Sequence, residues 1–274
     1  MKRYVSALTI AGSDPSGGAG LQADLKTFSA LGVYGATAIT AVTVQNTQGV
    51  KYVHKLPAQV VYDQIVTIME DVHIDAVKIG MVNDAETLDA IVRALSEYKP
   101  KFLVVDPVMV STSGCALMQP DALAIMKERL LPMADVVTPN LPEAWTLAGT
   151  EDSVDDAAQA ILRLGVKALL IKGGHAAGKV KTDCLYINKG DGLKYVHFTA
   201  ETVETKNTHG TGCTLSSAIA AFAARGLRLE DAVRQAKTYL TEALRAGADI
   251  VVGKGYGPVN HLFQPCSLVM KDGE

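Results

Sequence analysis

Short runs of branched apolar residues alternate along the chain with longer segments in which apolar positions recur every three or four residues. The short runs predict strands and the longer segments predict helices, because side chains repeat about every 2 residues in a strand and about every 3.6 in a helix. The predicted strands are residues 7–11, 37–44, 76–79, 103–105, 136–138 and 169–171. The predicted helices are residues 21–31, 58–71, 85–98, 122–131, 143–148, 154–164, 214–224 and 230–246.

Strands that alternate with helices are typical of a parallel sheet that is covered by helices on both faces. Two further segments, residues 183–187 and 194–198, flank the turn-forming stretch 188–192 and predict an antiparallel hairpin at one edge. We therefore predict an α/β fold, a three-layer α/β/α sandwich with a mostly parallel central sheet, in which residues 1–274 form one domain. No internal repeat, low-complexity tract or long linker divides the sequence.

Composition and charge indicate which classes of molecule the protein binds. Hydrophobic residues make up 48% of the 274 positions, which is ample for a sizeable core. The formal net charge is −3 at pH 7, and the sequence has no basic run of the kind that binds nucleic acid or an anionic membrane surface. We therefore expect small-molecule partners, no nucleic acid and no membrane.

The cysteines and the N-terminal segment bear on the cellular compartment. The 4 cysteines are far apart and form no C-x-x-C pair, so reduced thiols of a cytoplasmic protein are expected rather than a zinc site or a disulfide framework. They are Cys115, Cys184, Cys213 and Cys266. Residues 1–11 have the outline of a short signal peptide. Because cleavage there would remove the strand that leads into a glycine-rich loop, we interpret residues 7–11 as the first core strand.

Two glycine-rich segments precede predicted helices. One is residues 208–214, with the sequence THGTGCT, and the other is residues 12–20, with the sequence GSDPSGGAG. Neither matches the G-x-G-x-x-G fingerprint or a Walker A lysine loop, so neither a dinucleotide-binding fold nor a P-loop ATPase is indicated. Backbone N–H groups in the first turn of a helix lack partners and lie at the positive end of its dipole, so residues 210–213 predict an anion site.

The thiol in the first of these segments suggests a reaction. The helix dipole that favours an anion would also favour the thiolate of Cys213, and an ionisable thiol beside bound phosphate suggests phosphoryl transfer. We predict that Cys213 takes the proton of an alcohol while the N–H groups of Gly210, Thr211 and Gly212 stabilise the charge of the transferred group. In the alternative interpretation, Cys213 is a small buried hydrophobic residue and the glycines only tighten turns.

Polar residues follow three of the predicted strands. Asp106, Asn140 and Lys172 lie at or just beyond the carboxyl ends of strands, where open α/β sheets bind ligands. Lys172 would contact a phosphate, unless it is a solvated lysine at a strand end. Asp106 and Glu143 would supply carboxylates for Mg²⁺, which takes one or two carboxylates together with phosphate oxygens and water. The alternative role for Glu143 is a favourable interaction with its own helix N-terminus.

Two residues are candidates for recognising the phosphoryl acceptor. Gln45 ends a predicted strand, and its amide is both a donor and an acceptor, as the edge of a heteroaromatic ring requires. Asp24 would accept a hydrogen bond from an exocyclic amine, unless it is a solvent-facing residue of its helix. The polar, glycine-containing loop at residues 110–119 lies next to Asp106 in sequence and is the predicted lid.

Taken together, the motifs resemble one family. They are residues 11–20 (AGSDPSGGAG), 22–27 (QADLKT), 45–47 (QNT), 78–81 (KIGM), 106–109 (DPVM), 138–144 (TPNLPEA), 172–175 (KGGH), 208–214 (THGTGCT) and 252–261 (VGKGYGPVNH). This set closely resembles the hydroxymethylpyrimidine kinase/phosphomethylpyrimidine kinase family of thiamine biosynthesis, a branch of the ribokinase-like superfamily. The resemblance runs nearly from end to end.

The resemblance implies a ribokinase-like fold and a reaction that depends on ATP and Mg²⁺. The expected reaction is phosphorylation of 4-amino-5-hydroxymethyl-2-methylpyrimidine and then of its monophosphate. The pyrimidine contacts that the resemblance implies are Gly12, Asp24, Gln45, Met81 and Val108, and the nucleotide contacts that we assign are Asn140, Lys172 and Thr208. A homodimer is also implied. Wider superfamily members usually carry an aspartate base where this chain has Cys213, a departure that matches the hydroxymethylpyrimidine branch.

Two other functions stay open at this point. A pyridoxine or pyridoxal kinase of the same fold is the nearer alternative, as the sole or an additional activity, although Gln45 and Met81 favour the pyrimidine. A non-catalytic pyrimidine-binding or regulatory protein is the more distant one. Its marker would be loss of Cys213, Asp106 or the glycine segment, and all are present.

Overall fold

The computed structural model describes residues 1–111, 114–174, 178–188 and 192–273. Its strands are β1 (Lys2–Tyr4), β2 (Ser6–Ser13), β3 (Tyr34–Asn46), β4 (Gly49–Lys55), β5 (Ala76–Ile79), β6 (Leu103–Val105), β7 (Val136–Val137), β8 (Ala168–Ile171), β9 (Val180–Asn188), β10 (Leu193–Glu201) and β11 (Met270–Asp272). Its helices are α1 (Gly20–Ala30), α2 (Ala58–Asp71), α3 (Ala85–Glu97), α4 (Pro120–Ile125), α5 (Leu141–Ala148), α6 (Val154–Leu162), α7 (Thr211–Ala224) and α8 (Leu229–Gly247). A π-helical turn (Met126–Leu130) and a 3₁₀ turn (Leu131–Met133) continue α4.

The central sheet has nine strands in the order β10-β9-β8-β7-β6-β5-β2-β3-β4. The strands from β8 to β3 in this order are parallel. The predicted hairpin forms one antiparallel edge, where β9 pairs with β8 and with β10. The predicted α/β class and mostly parallel sheet are therefore confirmed, and residues 189–191 of the predicted turn lie outside the described residues.

The opposite edge of the sheet differs from the prediction. β4 pairs antiparallel with β3 and adds a second antiparallel edge. All of its residues are exposed or only partly buried, so the segment lacks the strong apolar periodicity that marks the central strands. The two-stranded sheet of β1 and β11 was also not predicted, because its strands are short and come from opposite ends of the sequence.

Helices cover both faces of the sheet, each over its own apolar cluster. Alternate residues of β2 and of the position before it divide between the clusters: Leu8 and Ile10 join the one under α2 to α6, while Val5 and Ala7 join the one under α1, α7 and α8. This alternation follows from the period of about 2 residues in a strand. Among the described helices, none is both long enough and apolar enough to cross a membrane.

Helix α7 is the central helix of its face of the sheet. It packs against α1, α8 and β5, and most of its residues are buried. It begins at Thr211, three residues before the predicted start, because Gly210 caps it in the left-handed conformation with a φ of 79°. This earlier start places Cys213 in the first turn of the helix.

Candidate active site

A cleft of about 710 Å³ lies at the carboxyl edge of the parallel strands, next to the first turn of α7. The predicted site residues that line it are Gly12, Gln45, Met81, Asp106, Val108, Asn140, Glu143, Lys172, Thr208, Gly210, Thr211, Gly212 and Cys213. The structure therefore brings residues from distant parts of the sequence together around one space. Its size is in the range typical of small-molecule sites.

The two glycine-rich segments pack against each other to form the floor of this cleft. A Cβ atom on Gly210 would lie 1.9 Å from the carbonyl oxygen of Gly18. A Cβ atom on Gly20, whose φ is 55°, would lie 2.3 Å from the carbonyl oxygen of Gly12. Glycine is therefore required at positions 210 and 20 both for backbone conformation and for close approach.

Backbone amides at the start of α7 are available to a ligand. Within the described ranges, the amides of Gly210, Gly212 and Cys213 have no hydrogen-bond partner, and the helical ladder begins where Thr214 N donates to Gly210 O at 2.8 Å. The amide of Thr211 is less available than the sequence suggested, because it reaches Thr208 O at 3.4 Å. The predicted anion site therefore has three fully free amides rather than four.

Lys172 lies between the two predicted metal-binding carboxylates. Its Nζ atom is 2.7 Å from Asp106 Oδ1 and 3.9 Å from Glu143 Oε2, and its side chain is 14% exposed. It is therefore not a solvated strand-end lysine. A Cβ atom on Gly212 would lie 3.4 Å from this ammonium and 3.6 Å from Asp106 Oδ2, so these charges adjoin the first turn of α7.

Burial and the lysine act differently on the two carboxyl groups. Burial raises the pKa of Asp106, but Lys172 and Lys78 outweigh it and hold that pKa below its usual value. Burial raises the pKa of Glu143, and the attraction of Lys172 does not offset it. Burial also lowers the pKa of Lys172, but Asp106 and Glu143 outweigh it, so the ammonium is held in its charged form.

Glu143 also has a structural role. Its Oε2 atom accepts from Asn140 N at 2.8 Å, and Asn140 Oδ1 accepts from Glu143 N at 2.9 Å, which forms a capping box at the start of α5. The alternative role of helix N-terminal stabilisation is thus present alongside a position on the cleft.

The donor set suits a magnesium ion that is held partly by a substrate. Among the described residues, no group of three or more His, Cys, Asp and Glu side chains surrounds a common point. Asp106 Oδ1 accepts from Lys172 and Thr138, and Oδ2 accepts from Ser216 at 3.2 Å. Asp106 and Glu143 are the two carboxylates that Mg²⁺ would take together with waters and phosphate oxygens, and the ammonium of Lys172 lies between them.

Cys213 lines the cleft with a partly exposed side chain. Burial raises the pKa of its thiol to about 11, with Asp24 and Asp106 adding to the rise and Lys78 opposing it. The thiolate that we expected at this helix start is therefore disfavoured in the cleft without ligands. Desolvation and two nearby carboxylates outweigh the cationic influences, so the thiol is protonated at neutral pH.

Asp24 does not line the cleft, contrary to the prediction that it contacts the acceptor ring. It is fully buried, and its carboxylate accepts from Lys78 at 2.8 Å, from Thr9 Oγ1 at 2.6 Å and from Ser217 Oγ. The alternative of a solvent-facing residue is also wrong. The helical pattern placed Asp24 on α1 but did not reveal that a buried lysine comes from a different strand.

The predicted ring-binding residues form an apolar wall with one amide. Met81 packs with Leu117, and Val108 lies against them. Met81 also covers Gly12, where a Cβ atom would lie 2.5 Å from its methyl carbon. Gln45 Nε2 is 3.4 Å from His209 Nε2 at the other side of this space.

His209 and Asp14 received no role from the sequence, although both belong to the recognised motifs. His209 Nε2 is 2.8 Å from Asp14 Oδ2, and this carboxylate also accepts from the amides of Ser16, Gly18 and Ala19. Burial raises the pKa of Asp14, but these hydrogen bonds, led by His209, lower it to about 2. The ionised Asp14 therefore ties the glycine loop before α1 to the loop before α7.

The other end of the cleft contains a further ion pair that the sequence did not indicate. Asp183 on β9 accepts from Lys237 of α8 at 2.6 Å and from the amide of Gly173 at 2.9 Å. Asp183 and Lys237 are far apart in the sequence and belong to none of the recognised motifs. Only the packing of α8 beside the edge hairpin brings them together.

Part of the predicted lid, residues 110–119, forms a short hairpin. Val110 and Ala116 form an antiparallel bridge, and Leu117 N donates to Met109 O at 2.8 Å. Asn83 Nδ2 holds the base of this segment through Leu117 O at 2.6 Å. Residues 112 and 113 of the lid lie outside the described residues.

A parallel sheet whose carboxyl edge holds free helix amides, a lysine with little exposure and two carboxylates defines a class, the phosphotransferases that act on small molecules. The model of the family described as "Phosphomethylpyrimidine kinase" matches residues 14–260. The chain belongs to this family of kinases, as the sequence motifs implied.

Known relatives cover nearly the whole chain. A hydroxymethylpyrimidine/phosphomethylpyrimidine kinase of Rhizobium meliloti is 52% identical over 263 residues, which are 94% of this chain and 97% of the relative. The crystal structure of phosphomethylpyrimidine kinase from Clostridium difficile has a TM-score of 0.75 at 45% identity and covers 87% of this chain and 99% of its own. An ADP complex of Bacillus subtilis pyridoxal kinase has a TM-score of 0.85 at 35% identity and covers 94% and 98%.

Proposed function

We propose that this kinase uses ATP to phosphorylate 4-amino-5-hydroxymethyl-2-methylpyrimidine and then its monophosphate, which gives the diphosphate used in thiamine biosynthesis. The observation that carries the proposal is the meeting of free amides, Lys172 and Cys213 at the start of α7 in one cleft. This is the arrangement that phosphoryl transfer requires, in a chain whose family is named for the pyrimidine substrate.

The acceptor ring lies, in this proposal, against the wall formed by Met81 and Val108. The amide of Gln45 supplies a donor and an acceptor to the edge of the ring. Gly12 has no side chain, and the methyl group of Met81 occupies the space that a side chain there would take, so the glycine lets Met81 form this wall. The hydroxymethyl group then points toward the first turn of α7.

The transferred phosphoryl group lies, in this proposal, over the amides of Gly210, Gly212 and Cys213. These donors and the ammonium of Lys172 stabilise the charge on its oxygens. Asn140 and Thr208 contact the nucleotide beside them. Asp106 and Glu143 would hold Mg²⁺, which neutralises charge on the phosphate oxygens when bound.

The proton of the acceptor alcohol passes to the sulfur of Cys213. In a loose transition state, little negative charge is needed on the attacking oxygen until late in the transfer. A thiol with a raised pKa is a small fraction thiolate at neutral pH, but each thiolate is correspondingly more basic. Cys213 can therefore accept the proton as the bond to phosphorus forms.

Substrate-dependent ATP consumption tests the proposal. The purified protein is expected to consume ATP when the pyrimidine alcohol is added, and to form the monophosphate before the diphosphate. Cys213→Ala is expected to lower kcat by roughly 10²- to 10⁴-fold, as for loss of a general base, while the Kd for the pyrimidine changes little. Binding of the pyrimidine without any ATP turnover would instead support a regulatory protein.

A pyridoxal kinase activity is the second candidate, because pyridoxal kinase is among the structures that this fold resembles at a TM-score of 0.85. The two acceptors differ at the ring edge that Gln45 would face. We expect kcat/KM to be higher for the pyrimidine alcohol than for pyridoxal, and equal or reversed values would make pyridoxal a main substrate.

We further propose a cytoplasmic homodimer. The four cysteines are free thiols, which suits a reducing compartment. The dimer is supported by the family resemblance. Light scattering on the purified protein is expected to give about twice the mass of the chain, and the mass of one chain would contradict the dimer.

A further inference from the structure

A buried ion pair that the proposed reaction does not use lies behind the wall of the cleft. Lys78 Nζ is 2.9 and 2.8 Å from the two oxygens of Asp24, and neither side chain is exposed to solvent. The desolvation of two buried charges can exceed their mutual attraction, so such a pair is weak evidence for a stabilising role. Its position relative to Cys213 is more informative.

The pair lies one helical turn behind the residues that form the site. Asp24 follows Gly20 by one turn of α1, and Ser217 follows Cys213 by one turn of α7. Ser217 Oγ donates to Asp24 Oδ1 and joins the two helices at this level. Lys78 enters between them from the end of β5.

The ammonium of Lys78 reaches the carboxyl edge of the sheet. A Cβ atom on Gly80 would lie 2.6 Å from Lys78 Nζ, which places the ammonium beside the residue that follows β5. Lys78 has three N–H donors, and among the described residues Asp24 is its hydrogen-bond acceptor. A fully buried ammonium with donor capacity to spare is suited to stabilise a second anion nearby.

Cys213 lies one turn of α7 before Ser217, which contacts Asp24, so the ion pair and the sulfur are neighbours. Four charged groups surround Cys213, each from a different element. They are Lys78 of β5, Asp24 of α1, Asp106 after β6 and Lys172 after β8. Lys172 is shared between Asp106 and Glu143. Lys78 contacts one carboxylate, that of Asp24, within the described residues, so its charge is neutralised less than that of Lys172.

We propose that Lys78 is a positioning residue whose ammonium stabilises the thiolate of Cys213, and that Asp24 limits this stabilisation by pairing with Lys78. The proposal rests on the proposed role of Cys213 as proton acceptor and deepens it. The pair would set how readily the sulfur holds a negative charge. If the pair were purely structural, removal of the positive charge and removal of the negative charge would not shift the ionisation of Cys213 in opposite directions.

Substitution of each partner separately distinguishes an electrostatic effect on Cys213 from a purely structural role. Asp24→Asn keeps the shape and the acceptor oxygen but frees the ammonium, so the thiol is expected to ionise at lower pH. Lys78→Met keeps most of the length of the side chain and removes the cation, so the thiol is expected to ionise at higher pH. The double variant removes both charges and is expected to return close to the unmodified protein.

The measurement is the rate of alkylation of Cys213 by iodoacetamide between pH 7 and 11, followed on the Cys213 peptide by mass spectrometry. We expect opposite shifts of about one pH unit or more for the two single variants. At a fixed pH below the midpoint, this is roughly a tenfold faster rate for Asp24→Asn and a tenfold slower rate for Lys78→Met. The exposed Cys266 is the internal control and is expected to be unchanged.

Shifts in the same direction, or no shift in either single variant, would overturn the proposal. Should Lys78→Met not fold, Asp24→Asn is compared with the double variant, and an equal midpoint in those two overturns it as well. Alkylation requires no substrate, so it is independent of the proposed reaction. Opposite alkylation shifts with an unchanged pH profile of kcat would support the role of Lys78 and refute Cys213 as the base.

Discussion

At the scale of single residues, the protonation of Cys213 has a direct kinetic consequence. The folded protein holds the thiol pKa at about 11, so the fraction of thiolate rises with pH throughout the neutral range. If Cys213 accepts the alcohol proton, kcat/KM for the alcohol is expected to rise between pH 7 and 9 by up to about tenfold per pH unit. Initial rates at saturating ATP measure this slope.

Two variants identify the group that titrates. Cys213→Ala is expected to abolish the slope, because the titrating group is removed. Cys266→Ala removes an exposed thiol and is expected to leave the slope unchanged. A slope that persists in Cys213→Ala would assign the proton to another group.

The contrast between Cys213 and Asp24 shows what sequence patterns predict at this scale. Motifs and strand ends placed Cys213, Gln45 and Lys172 on one cleft, because the carboxyl ends of parallel strands meet at one edge of a sheet. Side-chain environment was not predictable. Asp24 is paired with Lys78, 54 residues away, and the thiol pKa depends on charges from several elements.

At the scale of elements, the two glycine-rich loops act as one unit. Gly210 needs both a positive φ and close approach to Gly18, whereas Gly149 at the end of α5 needs only a positive φ, because a Cβ atom there would meet nothing within 4 Å. Gly149→Ala is therefore expected to cost about 1 to 2 kcal/mol of backbone strain. Gly210→Ala is expected to cost more and to lower kcat/KM as well, because it separates the loops.

Thermal melts and initial rates of the two variants test this expectation. Gly149→Ala is the matched control. The φ of Gly149 is 73° and that of Gly210 is 79°, so the backbone strain is similar, but only an alanine at position 210 would clash with a neighbouring loop. Each kcal/mol lowers Tm by about 2 to 4 °C in a chain of this size. Equal losses of Tm, with kcat/KM unchanged in both, would show that the loops tolerate separation.

Strand and helix patterns predicted most elements but not the second antiparallel edge. Central strands are buried on both faces and read as apolar runs, whereas β4 is paired on one side and largely exposed. The start of α7 was also placed late, because its first turn consists of small and polar residues. The cap at Gly210 depends on the neighbouring loop, which no local pattern describes.

At the scale of the whole molecule, the C-terminal segment is joined to the site helix by a buried histidine. His261 Nε2 is 3.0 Å from Thr214 Oγ1, and Tyr239 donates to the carbonyl of His261 at 2.7 Å. Burial, with a smaller effect of Lys26, lowers the pKa of His261 to about 4. A neutral imidazole is consistent with Nε2–H donating to Thr214, whose hydroxyl donates on to Gly210 O at 2.8 Å.

The lowered pKa links this contact to the stability of the fold. Between about pH 6.5 and pH 4 the unfolded chain protonates His261 and the folded chain does not, so its contribution is complete above this range and is lost as the pH falls through it. Urea unfolding at pH 7 and pH 4.5 is expected to show a decrease of about 2 to 3 kcal/mol from this residue. His261→Gln is expected to lose that component, while His54→Gln, at an exposed position of β4, retains it. The same pH dependence in both variants would mean that His261 is not held neutral by the fold.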